Sequence, residues 1–122
     1  MIMNKRVSGA SGETAACEAL KQAGLTILER NFRRPTGEID IIAKDKRTIA
    51  FIEVKTRSSL RFGRPAEAVN RAKQMHILRT AMLYLAEKGL DDAPVRFDVV
   101  EVLPTGIRHL RAAFDATDMI DG

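Results

Sequence analysis

The chain has 122 residues, of which 45% are hydrophobic and 30% charged, so it is too apolar for general disorder and long enough for one self-sufficient domain. A single cysteine excludes an internal disulfide, no apolar run approaches the roughly 20 residues that cross a bilayer, and the first residues lack the apolar segment of a secretory signal. The formal charge of +4 is compatible with a polyanionic partner without identifying one, and we expect one cytoplasmic domain over residues 1–122, with mobile ends at about 1–10 and 116–122 and no membrane contact.

The first predicted element is a helix at about residues 12–23. Ser11 or Gly12 is placed to cap it, and Gly24 is placed to end it. Its predicted apolar stripe consists of Ala16, Ala19, Leu20 and Ala23. A short strand is expected near residues 26–32, and the sequence RPTG after it is typical of a turn.

Two segments with a period of two follow, GEIDIIA at 37–43 and IAFIEVK at 49–55, and they predict a hairpin. A symmetric reversal within the polar KDKR segment between them would pair Ile41 with Ile52 and Ala43 with Ala50 on one apolar face. The same register would add the apolar pair Ile39 and Val54. On the other face it would gather four ionisable side chains by pairing Asp40 with Glu53 and Glu38 with Lys55.

The remaining pattern is a helix and one or two strands. The helix runs from Pro65 to Lys88 with a break near Asn70 and a stop at Gly89, and PVRFDVVEV at 94–102 reads as a strand. A long helical crossover joins parallel strands, so this strand should lie parallel to FIEVK. With a short last strand near 107–110, the order α-β-β-β-α-β predicts an α/β protein with a mixed sheet flanked by helices.

Two carboxylates that face each other across a strand pair repel unless a cation lies between them. Hard cations that prefer oxygen ligands, Mg²⁺ first among them, suit such a pair and keep waters in their coordination shell. The cation would polarise a phosphate and lower the pKa of a water, while Lys55 would orient that water or stabilise charge on the phosphoryl oxygens. The alternative is an ordinary salt bridge between Glu38 and Lys55, with Asp40 and Glu53 on an exposed sheet face.

GEID followed by FIEVK resembles the metal site of the PD-(D/E)XK nuclease superfamily, in which an Asp on one strand precedes Glu-x-Lys on the next. The chain resembles the YraN family, the UPF0102 group, more closely still, and that family looks related to archaeal Holliday-junction resolvases. The similarity runs from Gly9 to Phe114 and includes GASGETAACEAL, NFRRPTGEIDIIA, FIEVKTRSSLRFGRPAEAV, KQMHILRTAMLYL and RFDVVEV. It implies a restriction-endonuclease-like three-layer fold.

The resemblance also implies roles for individual residues. Asp40 and Glu53 become metal ligands, the main-chain carbonyl of Val54 completes the protein ligands, and Lys55 becomes the catalytic lysine. Glu13 matches an acidic position that approaches the same metal directly or through water. Its alternative role is that of a first-turn Glu stabilised by the helix dipole.

Further residues are expected around this site. Glu38 would support it by positioning Lys55, and Gln74 either faces the site or is solvated on its helix. Seven Lys and Arg residues against one acid lie between Val54 and Arg79, which favours phosphate contacts. The expected nucleic-acid-binding residues are Arg57, Arg61, Arg64, Arg71 and Lys73. Neither His76 nor His109 belongs to a His-rich metal set, and Cys17, Met75 and Met82 are expected to pack in the core.

The sequence thus predicts an endonuclease that uses Mg²⁺, with Mn²⁺ as a substitute, to hydrolyse phosphodiester bonds of branched or otherwise structured DNA. The alternative is a nucleic-acid-binding module that keeps the fold, does not cut, and acts through a protein partner. The resemblance to dimeric resolvases makes a homodimer worth testing.

Overall fold

The computed structural model describes residues 9–57 and 69–115, which form two helices and five strands. Their bounds are α1 Gly9–Gln22, β1 Thr26–Arg34, β2 Gly37–Asp45, β3 Thr48–Thr56, α2 Arg71–Lys88, β4 Val95–Leu103 and β5 Gly106–Phe114. The predicted element order is confirmed. Predictions for residues 1–8, 58–68 and 116–122, including the helix start at Pro65 and the roles of Arg61 and Arg64, lie outside the described residues.

The five strands form one mixed sheet in the order β1-β2-β3-β4-β5. β3 and β4 are parallel, as the α2 crossover between them predicts, and the other three strand pairs are antiparallel. The last strand is longer than the predicted 107–110, because its pairing with β4 extends from Gly106 to Phe114.

Each face of the sheet is covered by one helix. Alternate positions of β2 and β3 pack against α1 in a cluster that includes Leu20, Ile41 and Ile52. The intervening positions pack against α2 in a second cluster that includes Phe51 and Ile77. The result is a three-layer α/β arrangement, which is compatible with a nuclease-like fold. None of the described helices is both long and apolar enough to cross a membrane.

Helix α1 differs from its prediction at both ends. It begins at Gly9, within the segment expected to be mobile, and ends at Gln22, so Ala23 lies beyond it and is exposed. Cys17 is buried instead of Ala23, because positions 16, 17 and 20 share the helix face that meets the sheet. The packing role expected for Cys17 is confirmed, and its burial raises the pKa of the thiol.

Helix α2 begins directly after Asn70, where a break in the helix was predicted, and ends at the predicted stop, Gly89. Asn70 is the N-cap and accepts a hydrogen bond from the Lys73 amide at 2.8 Å, and Gly89 ends the helix in the left-handed conformation at φ 67°. Met75 packs against the core, as predicted. The prediction for Met82 is wrong: its side chain is 51% exposed, since the helix turns it about 100° away from its buried neighbour Ala81.

The turn that introduces β2 is fixed to α2. The hydroxyl oxygens of Thr36 and Thr80 lie 2.7 Å apart in a hydrogen bond, and Thr80 also donates to the His76 carbonyl at 2.8 Å. Arg34, at the end of β1, makes two hydrogen bonds of 2.8 and 2.6 Å to the carboxylate of Glu87. These contacts hold the start of the GEID segment close to the second helix.

A buried carboxylate ties β4 to β5. Asp98 is 0% exposed and accepts hydrogen bonds from the Arg96 guanidinium at 2.8 and 3.0 Å and from the Ala112 amide at 2.9 Å, and the His109 Nε2 lies 2.8 Å from its Oδ2. Burial by itself raises the pKa of Asp98, but the hydrogen bonds from His109, Arg96 and the Ala112 amide outweigh it and hold this pKa below its usual range. His109 is thus engaged in holding β5 to the sheet.

Candidate functional site

The candidate site lies where β2 and β3 separate. Their paired residues run from Asp45 opposite Thr48 to Ile41 opposite Ile52, so the predicted register is confirmed over this part. Pairing then ends, and beyond this point the beginning of β2 continues beside β1 while the end of β3 continues beside β4. The sheet therefore has a fork at this position.

The fork overturns three predicted strand pairs. The pairs Asp40–Glu53, Glu38–Lys55 and Ile39–Val54 all lie beyond the last residues at which β2 and β3 pair. Glu38 instead lies opposite Arg33 on β1, and Lys55 lies opposite Glu101 on β4. The symmetric hairpin rule fails here because the Asp40 side chain, instead of the β2 backbone, accepts the hydrogen bond of the Val54 amide.

Asp40 fills the gap between the separating strands. Its Oδ2 accepts a hydrogen bond of 2.8 Å from the amide of Val54, which the β2 backbone no longer satisfies. The strict alternation of faces also breaks here, because Ile39 and Ile42 are three positions apart and yet belong to the same cluster on the α2 side. Asn31, between the β1 partners of Ile39 and Ile41, has φ 53° at this irregular point.

The carboxyl group of Asp40 has a pKa raised to about 7. Burial is the largest cause, and the negative charge of Glu53 is the next, while the hydrogen bond from the Val54 amide works in the opposite direction. Glu13 and Glu38 raise the pKa further through longer-range repulsion. Near neutral pH, Asp40 therefore either keeps its proton or needs a positive charge nearby.

Glu53 lies on the α2 side of β3 and has two positive neighbours. The residue is 6% exposed, and its Oε2 is 3.0 Å from Nζ of Lys73 on α2 and 3.4 Å from Nζ of Lys55 on its own strand. A hydrogen bond to Glu53 is the largest cause of a raised pKa at Lys73, although desolvation opposes it. The three side chains form a partly buried charge cluster in which two ammonium groups share one carboxylate oxygen.

Glu38 contacts a residue of β1, and its predicted role in positioning Lys55 stays a prediction. Its carboxylate pairs with Nε of Arg33 at 3.2 Å, and 74% of the Arg33 side chain is exposed. Exposed ion pairs of this kind contribute about 0–1 kcal/mol to stability. The structure thus assigns Glu38 to the β1–β2 ladder, at the edge of the site.

Glu13, on α1, influences Asp40 through its charge. Within residues 9–57 and 69–115, no three His, Cys, Asp or Glu side chains converge closely enough to form a metal-binding group. A set of three carboxylates from Glu13, Asp40 and Glu53 is therefore not preassembled in this structure.

The two strand carboxylates do fit a hard divalent cation in their chemistry. Both are partly or fully buried and both offer oxygen, the donor that Mg²⁺ and Mn²⁺ prefer. Burial and, next to it, repulsion from Glu53 raise the pKa of Asp40, and a divalent cation between the two groups would remove that repulsion.

Several predicted helper residues have other contacts. The Gln74 side-chain amide donates to the carbonyl of Val69 at 2.7 Å and so fixes the segment that leads into α2. Arg57 is turned inward: its Nε lies 3.4 Å from Oε2 of Glu101, and its buried Nε and Nη2 atoms have no hydrogen-bond partner among the described residues 9–57 and 69–115. Arg71 is exposed at the start of α2.

Sequence reasoning missed two features. Glu101 is 2% exposed and pairs with both Arg57 and Arg108, although its position in the apolar VVEV segment was a visible sign of a buried charge. The contact between Lys73 and Glu53 had no local sign, because the two residues belong to different elements.

The comparisons with known proteins agree with one another. Residues 12–102 match the model of the family described as "Uncharacterised protein family UPF0102". A UPF0102 protein of Caldicellulosiruptor saccharolyticus is 53% identical over 100 residues, covering 82% of this chain and 85% of the relative. A UPF0102 protein of Nocardia farcinica is 48% identical over 118 residues, covering 93% of each chain. The chain belongs to the UPF0102 family.

Proposed function

We propose that this protein is a metal-dependent endonuclease of the PD-(D/E)XK type that hydrolyses phosphodiester bonds, with branched or structured DNA as its substrate. The observation that carries the proposal is that Asp40 accepts a hydrogen bond from the amide of Val54, the residue next to Glu53, and that burial, followed by the charge of Glu53, raises the pKa of Asp40. Raised pKa values of neighbouring acids are typical of functional sites. The Nζ of Lys55 lies 3.4 Å from Oε2 of Glu53 and supplies the ammonium group of the Glu-x-Lys pattern.

Each residue of the fork has a defined task in this proposal. Asp40 and Glu53 would hold Mg²⁺, or Mn²⁺ in its place, and the Val54 amide would keep the Asp40 carboxylate aimed into the gap. Such an ion, when bound, activates a water and polarises a phosphate. Lys55 would donate hydrogen bonds to a phosphoryl oxygen or orient the attacking water. The Val54 carbonyl, and Glu13 directly or through a water, would complete the oxygen ligands.

The charge around the fork supports a nucleic-acid substrate. Lys55, Lys73 and Arg71 lie at the fork or at the adjacent start of α2, which also has no acidic residue in its first turn. Such groups position a phosphate backbone without reading its sequence. Aromatic residues make up 5% of the chain, which disfavours recognition by base stacking.

The second candidate is a nucleic-acid-binding module that does not cut and acts through a protein partner. One observation favours it: two lysine ammonium groups already neutralise Glu53, so the acid cluster is balanced without a metal. A homodimer, which would present two forks to a branched substrate, is compatible with either candidate.

The two candidates differ in a cleavage assay. Purified protein is incubated with linear, flap and four-way DNA and with RNA, with Mg²⁺, with Mn²⁺ or with a chelator. We expect metal-dependent cleavage of a branched DNA, and we expect Asp40→Asn and Lys55→Ala each to lower its rate by about 100-fold or more.

Two matched controls accompany the variants. Asp92→Asn removes an exposed aspartate and Lys44→Ala an exposed lysine, both away from the fork, and both should retain the cleavage rate. Cleavage that persists in Asp40→Asn and Lys55→Ala would show that the nuclease is a contaminant. Binding to every substrate without cleavage would favour the second candidate.

A further inference from the structure

Lys73 reaches the fork from a different layer of the fold. It is the third residue of α2, yet its Nζ lies 3.0 Å from Oε2 of Glu53, closer than the Nζ of Lys55 on the same strand as Glu53. Both ammonium groups contact the same carboxylate oxygen. Of the two lysines, the one from the helix thus makes the shorter ion pair.

The placement of Lys73 opposes the usual charge preference of a helix. The first turn of α2 is the positive end of the helix dipole, where acids are favoured and cations are not. The backbone amide of Lys73 is held by the Asn70 cap at 2.8 Å, so the helix start is fixed while the side chain, 44% exposed, can rotate. Glu53 is the partner that offsets the unfavourable position.

A divalent ion and the Lys73 ammonium would compete for the same oxygen. The proposed metal site needs Oε2 of Glu53 or its neighbouring oxygen, and a doubly charged ion there would repel an ammonium group held 3.0 Å from that carboxylate. Lys55 is less able to leave, because it extends from the same strand as Glu53 and only 26% of its side chain is exposed. The more exposed Lys73 side chain is the one with room to move.

We propose that Lys73 is the built-in counter-cation of Glu53 in the metal-free protein, that divalent metal displaces it, and that the released ammonium becomes available to a phosphate of the substrate. The proposal rests on the metal site under Proposed function and adds the regulation of that site. Metal binding and the release of Lys73 are then coupled. Lys73 therefore contacts a phosphate of the substrate only in the metal-loaded protein.

The first test measures Mn²⁺ binding by titration, with unbound Mn²⁺ followed by electron paramagnetic resonance. Lys73→Met removes the ammonium group that competes with the metal and should raise the Mn²⁺ affinity by about tenfold or more. Lys73→Arg keeps the positive charge, so its Mn²⁺ affinity should stay near that of the wild type. Lys88→Met, at the far end of α2, is the matched control and should leave the affinity unchanged. Circular dichroism confirms that each variant is folded.

The second test uses the intact wild-type protein. Lysine acylation followed by mass spectrometry should show faster modification of Lys73 when Mg²⁺ is added, with no change at Lys88. An unchanged or slower rate at Lys73 would overturn the proposal without any substitution.

The outcomes separate this proposal from the one on which it rests. If Mn²⁺ binds and Asp40→Asn abolishes binding, but Lys73→Met has the wild-type or a weaker affinity, the metal site stands and the role of Lys73 is refuted. If the wild type does not bind Mn²⁺, or if Asp40→Asn binds it as tightly as the wild type, the metal site itself is refuted. The proposed role of Lys73 is then refuted as well.

Discussion

The substitution Asp40→Asn should make the metal-free protein more stable at neutral and higher pH. Asparagine has the shape of a protonated aspartate, and its side-chain oxygen can still accept the hydrogen bond from the Val54 amide. It removes the charge that burial and Glu53 oppose. The variant thereby loses a proposed metal ligand and gains stability, which is a common trade at functional sites.

The magnitude follows from the pKa of Asp40, which rises from 3.8 to about 7 on folding. One pKa unit corresponds to about 1.4 kcal/mol, so the wild type loses up to about 4 kcal/mol of stability as the pH rises from about 4 to about 7. The sign follows from proton binding, since over this window the folded state retains a proton that the unfolded state has released. The stability gain of Asp40→Asn should grow over that window and level off above it.

The assay is urea unfolding followed by far-ultraviolet circular dichroism at several pH values between 4 and 8.5, with a chelator present. The chain has no Trp, so backbone signal is preferable to fluorescence. Taking the difference between variant and wild type cancels the titration of groups that do not interact with Asp40, and exposed Asp92→Asn should differ from wild type by less than about 0.5 kcal/mol. A difference that stays flat with pH, or a variant less stable than wild type at pH 8, would refute the reasoning about Asp40.

Three further substitutions test the framework around the fork. Asp98→Asn removes the buried one of the two carboxylates that pair with Arg96, the other being Asp45, and should cost about 3 kcal/mol in urea unfolding. Because the pKa of Asp98 is lowered on folding, the wild type should lose this contribution only as the pH falls below about 4. An equal stability of variant and wild type at pH 7 would contradict this. Gly37 has φ 147°, and Gly37→Ala places a methyl group 3.2 Å from Cβ of His76. The variant should lose about 1–3 kcal/mol of stability in thermal unfolding. An unchanged stability would show that the turn can shift to make room for the methyl group. Phe51→Ala removes a 1% exposed ring from the α2-side cluster and should cost about 3–5 kcal/mol, whereas a loss below about 1 kcal/mol would mean that the cluster collapses around the gap.

Local pattern was sufficient for the elements and for part of the register. The period of two in GEIDIIA and IAFIEVK fixed which side chains could share a face, and the structure confirms the pairs Ile41–Ile52 and Ala43–Ala50. Asn70 and Gly89 marked the ends of α2 because capping is a local interaction of side chain and backbone. The helical crossover predicted the parallel pairing of β3 and β4 for a geometric reason that needs no contact information.

The fork was not predictable from the hairpin alone. Strand periodicity continues the symmetric pairing beyond Ile41 and Ile52, whereas in the structure β2 and β3 separate there while each stays beside its other neighbour. Asp40 lies in the resulting gap, where it binds the Val54 amide, and Ile39 lies on the α2 side. Glu38 loses its predicted partner Lys55 for the same reason.

The sequence by itself determined that Asp40, Glu53 and Lys55 would lie near the same end of the hairpin, because strand periodicity acts between neighbours along the chain. Only the tertiary structure decided what each charge faces. Burial in the fork raises the pKa of Asp40 to about 7, and the packing of α2 over the sheet brings Lys73 to within 3.0 Å of Glu53. Electrostatic energies depend on distance and on exclusion of water, and both are set by how the layers pack.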